Sequence, residues 1–190
     1  MAPTKTRASD GAVEGTVVFT DIVGFTEFTA LRGDEEALEL LSTQERLVQE
    51  ALPADARIVK ELGDGLLLWF SDACEALRTA LELQERFETE SNESLVPLWV
   101  RVGMHSGRQT RRGSDLVGHD VNVAARVVDV AGPGEVLLSD ATLTQVQDRL
   151  PQVAFEELGP VVMKGIPQPV RLYRAVPFPS GVWRAIADNG

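Results

Sequence analysis

Residues 17–28 read VVFTDIVGFTEF: strand formers Val17, Val18 and Phe19, then a carboxylate, Asp21, then a glycine and a second Phe-Thr pair. An acidic side chain at the end of a buried strand, just before a helix, sets a fixed negative charge beside unsatisfied backbone N–H groups. The N–H groups from Ile22 through Gly24, Phe25 and Thr26 suit a triphosphate tail. Such a junction can hold phosphates and a divalent cation together.

Downstream, the helix started here is predicted to run to about residue 50, with Leu38, Leu41 and Val48 at near-helical spacing. The segment RIVKELGDGLLLWF reads as two strands around Gly63-Asp64-Gly65, because both glycines tolerate positive φ. Residues 71–89 form an amphipathic helix with Ala73, Leu77, Ala80 and Phe87 on one face. LWVRVGMHSG is a strand, and residues 114–139 give a short strand, a helix closed by Gly132-Pro133-Gly134, and another strand. VAFEEL, PVVMK and PVRLYRA are read as short C-terminal strands. The order β, α, ββ, α, β, then βαβ predicts an α+β fold with helices on one main sheet. Residues 1–13 are expected to be a disordered lead-in, 14–175 one domain and 176–190 a tail.

At 190 residues the chain can bury a full core, and 44% hydrophobic with 25% charged residues is ordinary for a soluble globular domain. No run approaches the roughly 20 apolar residues of a membrane span, and the N-terminus lacks an apolar leader. The one cysteine, Cys74, allows no internal disulfide and fits a reducing compartment, so a cytoplasmic location is expected. A net charge of −11 argues against a nucleic-acid partner, and any phosphate site must be built locally from metal ions and placed cations.

Asp21 and Asp64, each at a strand end or tight turn, form an oxygen-rich cradle for Mg²⁺ or Mn²⁺ if their strands are neighbours. Taken singly, they read as well as a helix N-cap and a turn residue. Asn122 and Arg126, four apart, share a helix face with Asp115 on the strand before it. Alone, that pair reads as a solvated arginine and a turn asparagine, and Lys60 as a surface lysine.

Together, the motifs FTDIVGFT, KELGDGLL, GMHSG, DLVGHDVNVAAR and MKGIPQPVRLY resemble class III nucleotidyl cyclase catalytic domains, most of all bacterial adenylate cyclases. They occur in that family's order and spacing from about Gly15 to Ala175. The resemblance implies a ferredoxin-like, palm-type βαββαβ core with a C-terminal βαβ-type extension. It implies two divalent cations held by Asp21, Asp64 and the Ile22 carbonyl, a purine read by Lys60 and Asp115, a ribose oriented by Asn122 and a transition state contacted by Arg126. A lysine donor and an aspartate acceptor complement adenine N1 and its 6-amino group, which favours ATP over GTP. The family's architecture further implies a head-to-tail homodimer, with metal aspartates from one subunit and the other four residues from its partner. A monomer would be inactive.

One position departs from the pattern. Many members carry a phosphate-contacting lysine where this chain has Ile166, leaving Lys164, or Arg111 or Arg112, to reach the triphosphate. A guanylate cyclase and a non-catalytic cyclase-like module are the rival readings. The turn motif of diguanylate cyclases and the P-loop are absent. His105 and His119 lack zinc-ligand spacing, Cys74 and Trp69 read as packing, and so does Trp99. Trp183 is left undecided between docking and disorder.

Overall fold

The structure, a computed structural model, describes residues 11–94 and 96–178. Strand β1 (Ala12–Ile22) is followed by helices α1 (Phe25–Arg32) and α2 (Asp34–Ala51), the hairpin β2 (Arg57–Leu62) and β3 (Gly65–Phe70), helix α3 (Ala73–Glu93) and strand β4 (Val100–Arg112). These four strands lie in the order β2-β3-β1-β4 with antiparallel neighbours throughout, the expected βαββαβ core. Strand β5 (Asp115–Val117) pairs with the end of β4, and helix α4 (His119–Val130) leads to β6 (Val136–Ser139), parallel to β4. Helix α5 (Asp140–Val146) and strands β7 (Val153–Val161) and β8 (Val170–Pro177) complete a mixed sheet, in the order β6-β8-β7.

Alternation along β1 builds two cores. Val18 and Ile22 join Leu66, Leu68 and Phe70 under α2 and α3, where Leu47, Val48, Leu77 and Phe87 are buried. Val17 and Phe19 face the other way and pack with Leu67 under α4, against Val121, Ala124 and Val128. Full burial of each such side chain stabilises the fold by about 1.5–3 kcal/mol. A third cluster fixes the far side of α4: Val123, Val127 and Ala131 meet Met163, Ile166 and Leu172.

Several expectations need correction. The long first helix is two helices, broken where Gly33 adopts φ 90°. The buried face of α2 is Ala37, Leu40, Gln44, Leu47 and Val48, so Leu38 points outward at 62% exposure. Trp99 does not pack in a strand; it precedes β4 and is 57% exposed. Helix α5 had no counterpart in the sequence reading. VAFEEL and the start of PVVMK form one strand, β7, whose register shifts between Glu157 and Gly159. The sheet carries α4 on the face opposite the other packed helices. β1 starts at Ala12, and the lead-in and tail expected at 1–13 and 176–190, with Trp183, fall mostly outside the described residues.

Candidate active site

The hairpin brings Asp64 to Asp21. Asp21 pairs with Gly65 across β1 and β3, and the Ile22 N–H donates to the Asp64 carbonyl at 3.2 Å. The two glycines of Gly63-Asp64-Gly65 serve different ends. Gly63 makes the turn at φ 70°, whereas Gly65 is in ordinary backbone and a Cβ there would collide with the Thr20 carbonyl. Behind Asp21, Thr20 is buried and its hydroxyl accepts from Gln44 Nε2 at 3.1 Å and from the Leu66 N–H at 3.2 Å. The strand end that carries the carboxylate is thereby tied to α2 and to β3. Burial, and then the Asp21 charge, push the Asp64 carboxyl above its ordinary range.

Sequence reasoning missed Arg101. Its Cα lies opposite Asp21 in the β1–β4 register, and its guanidinium holds Asp21 Oδ2 through Nε at 2.7 Å and Nη2 at 2.6 Å. A third nitrogen, Nη1, donates to the Asp129 carbonyl of α4 at 3.3 Å. The Arg-Val-Gly of β4 gave the signal: an arginine between apolar residues at the buried start of a strand needs a partner.

The N–H groups left open at this junction are fewer than expected. Ile22 N–H is spent on Asp64 and Val23 N–H on the Trp99 carbonyl. Gly24, at φ 75°, turns the chain into α1, whose first acidic residue is Glu27. No acceptor for the N–H groups of Gly24, Phe25 and Thr26 is found among the described residues, so these three remain open at the helix start.

Lys60 on β2 and Asp115 on β5, 55 residues apart, meet with Nζ 2.8 Å from Oδ2. The other carboxylate oxygen accepts from the Leu116 N–H at 2.7 Å. The lysine hydrogen bond, first among the causes, holds the Asp115 carboxyl below its ordinary range. Both side chains remain a little over a third exposed, so a ligand can reach them. Arg112 lies opposite Asp115 in the β4–β5 hairpin, beside this pair.

Asn122 and Arg126 project from α4, Asn122 exposed and Arg126 half-buried. The helix can lie this low because Gly103 of β4 has no Cβ to strike Val128. Arg126 donates through Nε to the Lys164 carbonyl at 3.1 Å and through Nη1 to Asp129 Oδ2 at 2.9 Å. Ile166 is 8% exposed in the cluster under α4, so at this position the chain uses an apolar anchor that seats the Lys164 loop. The Lys164 side chain is exposed.

The site residues therefore fall into two groups within one chain: Asp21 with Asp64 and Arg101, and Lys60 with Asp115. Arg126 is engaged with its own Asp129 and Lys164. A cavity of about 620 Å³ between α3, Trp99 and Gly134 contains none of them.

The family model for the adenylate and guanylate cyclase catalytic domain matches residues 9–175. A pH-sensitive adenylate cyclase of Mycobacterium tuberculosis is 34% identical over 166 residues, covering 86% of this chain and 41% of that protein. An adenylate cyclase of Streptomyces griseus is 36% identical over 126 residues, covering 66% of this chain and 31% of that one. The chain thus spans less than half the length of either relative. Among solved structures, an adenylate/guanylate cyclase/hydrolase from Silicibacter pomeroyi superposes with a TM-score of 0.77 at 27% identity, covering 89% of this chain and 99% of that one. The adenylyl cyclase CyaB from P. aeruginosa shares the fold, with a TM-score of 0.79 at 24% identity over 91% of this chain and 98% of its own.

Proposed function

The chain belongs to the family of adenylate and guanylate cyclase catalytic domains, and on that premise we propose that it converts ATP to 3′,5′-cyclic AMP and pyrophosphate at sites shared by two copies of the chain. The observation that carries the choice of ATP is the Lys60–Asp115 ion pair. It offers one donor and one acceptor side by side, the complement of adenine N1 and its 6-amino group. Guanine presents the reverse, and each mismatched buried group costs about 1–3 kcal/mol.

The donor set suits a hard divalent cation such as Mg²⁺ or Mn²⁺. Two carboxylates sit at adjacent strand ends, and burial, then the neighbouring Asp21 charge, raises the Asp64 pKa. Two carboxylates and one carbonyl leave coordination positions for water and substrate phosphates. Asp21, Asp64 and the Ile22 carbonyl would hold two such ions. When bound, they would lower the pKa of the ribose 3′-hydroxyl and neutralise the departing pyrophosphate.

The residues of the chain divide the remaining work. The N–H groups of Gly24, Phe25 and Thr26 cradle the triphosphate tail. Arg101, already beside Asp21, is placed to turn toward phosphate oxygens. Asn122 orients the ribose, so that its 3′-oxygen lies in line with the α-phosphorus. Arg126 stabilises the charge that builds on the α-phosphoryl oxygens, for which a rigid guanidinium is suited. Lys164 supplies a further positive charge. No dedicated general base is evident, so Asp21 or solvent accepts the 3′-proton.

The head-to-tail architecture of the family supports a site completed by a second copy, with the metal carboxylates of one protomer facing the α4 of its partner. Mixing Asp21→Ala with Asn122→Ala protein tests this. Each variant alone makes no cyclic AMP. Statistical pairing in the mixture restores about a quarter of wild-type activity, because half the dimers carry one intact site. A mixture as inactive as its parts sinks the shared site. We further infer a cytoplasmic location, supported by the single buried Cys74 and by the lack of any helix long and apolar enough to cross a membrane among the described residues.

A further inference from the structure

Residues 103–107, Gly-Met-His-Ser-Gly, form the floor on which α4 rests. At one end Gly103 admits Val128; at the other, a Cβ on Gly107 would strike the Asp120 carboxylate. Between them His105, buried at 9% exposure, carries its Nε2 3.6 Å from Asp120 Oδ1 and its Nδ1 2.7 Å from the Ser139 hydroxyl. The other Asp120 oxygen accepts from the Arg108 N–H at 2.6 Å. Asp120 lies in the first turn of α4, two residues before Asn122.

The Asp120 carboxylate facing Nε2 selects the tautomer. The Ser106 N–H donates to Thr142 Oγ1 at 2.9 Å, so the Thr142 hydroxyl is free to donate onward to Ser139 Oγ at 3.3 Å. Ser139 can then donate to His105 Nδ1, the arrangement in which Nδ1 is the bare nitrogen. The ring proton sits on Nε2 and faces Asp120. The opposite tautomer would aim a lone pair at a carboxylate. The chain of polarised groups thus runs from α5, through β6 and β4, to the first turn of α4.

We propose that His105 and Asp120 are positioning residues, a latch that sets the seat of α4 and with it the aim of Asn122 and Arg126. The consequence for turnover rests on the cyclase reading; the geometry of the latch does not. The groups that bear on the imidazole are Asp120 and His119 of α4 and Asp140 of α5. Burial, the largest influence, lowers the His105 pKa, while the two aspartates oppose it. His105 is therefore neutral at pH 7, and acid conditions charge it against Asp120.

The full chain contains two histidines, His105 and His119, so isotope-labelled imidazole NMR can follow both. His105 is expected as the Nε2–H tautomer, titrating below the ordinary imidazole value. Asp120→Asn keeps an acceptor for the Arg108 N–H but removes the charge, so the His105 inflection moves to still lower pH and the amide signals of Asn122 and Arg126 shift. In the same variant kcat falls by about tenfold with KM for ATP changed less than twofold, since aim affects the transition state more than binding. The acid limb of its pH–rate profile moves with the imidazole. Ser139→Ala, which removes the donor to Nδ1, mixes the tautomers. An Nδ1–H tautomer in the wild type, or an unmoved inflection with unmoved amide signals in Asp120→Asn, overturns the latch. Absence of product from wild-type protein overturns the cyclase reading, while the NMR readouts still decide the latch.

Discussion

Arg101 and Asp21 are directly opposed across β4 and β1, with two guanidinium nitrogens 2.7 and 2.6 Å from one carboxylate oxygen. The proposed metal site thus has its own positive charge, which compensates Asp21 when no cation is present. Any cation must share Asp21 with Arg101 or displace it.

Arg101→Gln should therefore act in opposite directions with and without metal. The metal-free protein loses the counter-charge of a largely shielded carboxylate, and its Tm falls by about 2–4 °C. The Tm gained on adding Mn²⁺ becomes larger than in the wild type. Equal gains in the two proteins would separate Arg101 from the cation site.

Asp64 has the reverse character. Its folded pKa is raised by burial and by Asp21. Between the ordinary and the raised value the folded state binds more protons than the unfolded one, so stability falls as pH rises through that window. Above it, the full penalty persists. Asp64→Asn should raise the metal-free Tm at pH 7 by about 1–3 °C. The gain should vanish below the ordinary aspartate range, about pH 3.9. The variant should also lose its Tm response to Mn²⁺. A lower Tm at pH 7 would contradict the assignment.

The base reading can be inverted. Lys60→Glu with Asp115→Asn places an acceptor opposite guanine N1–H and a donor opposite O6. Relative kcat/KM should move toward GTP by about 100-fold or more, most of it from loss of ATP turnover. Unchanged preference would remove Lys60 and Asp115 from the purine site.

Ile166 is the place where the chain departs from its family's pattern, and its side chain lies in the cluster under α4. Ile166→Ala should cost about 2–4 kcal/mol in urea unfolding. Ile166→Lys should destabilise as well, without lowering KM for ATP. A stable Ile166→Lys protein with tighter ATP binding would mean that this position faces the triphosphate.

What was legible in the chain follows from how local its signals are. Strand β1, the Gly63-Asp64-Gly65 turn and the buried face of α3 declare themselves within a few residues, through period and turn chemistry. The split at Gly33 was hidden because helical spacing resumes at once in α2. Helix α5, seven residues long, is too short to show a period. The pairing of Arg101 with Asp21 spans 80 residues and depends on strand register, which no local pattern encodes. The same is true of Ile22 and Val23: their N–H groups looked free until the Asp64 turn and Trp99 came to meet them. The candidate site residues were named from motifs; only the fold shows that Lys60 meets Asp115 and that Arg126 is turned toward its own Lys164 loop.

The most direct measurement is the product formed by the purified chain from ATP and from GTP, each with Mn²⁺ and with Mg²⁺, beside an Asp21→Ala control. Cyclic AMP from ATP, lost in the control, is the predicted result. Cyclic GMP as the main product would contradict the base reading, and no product from a dimeric preparation would contradict the catalytic account as a whole.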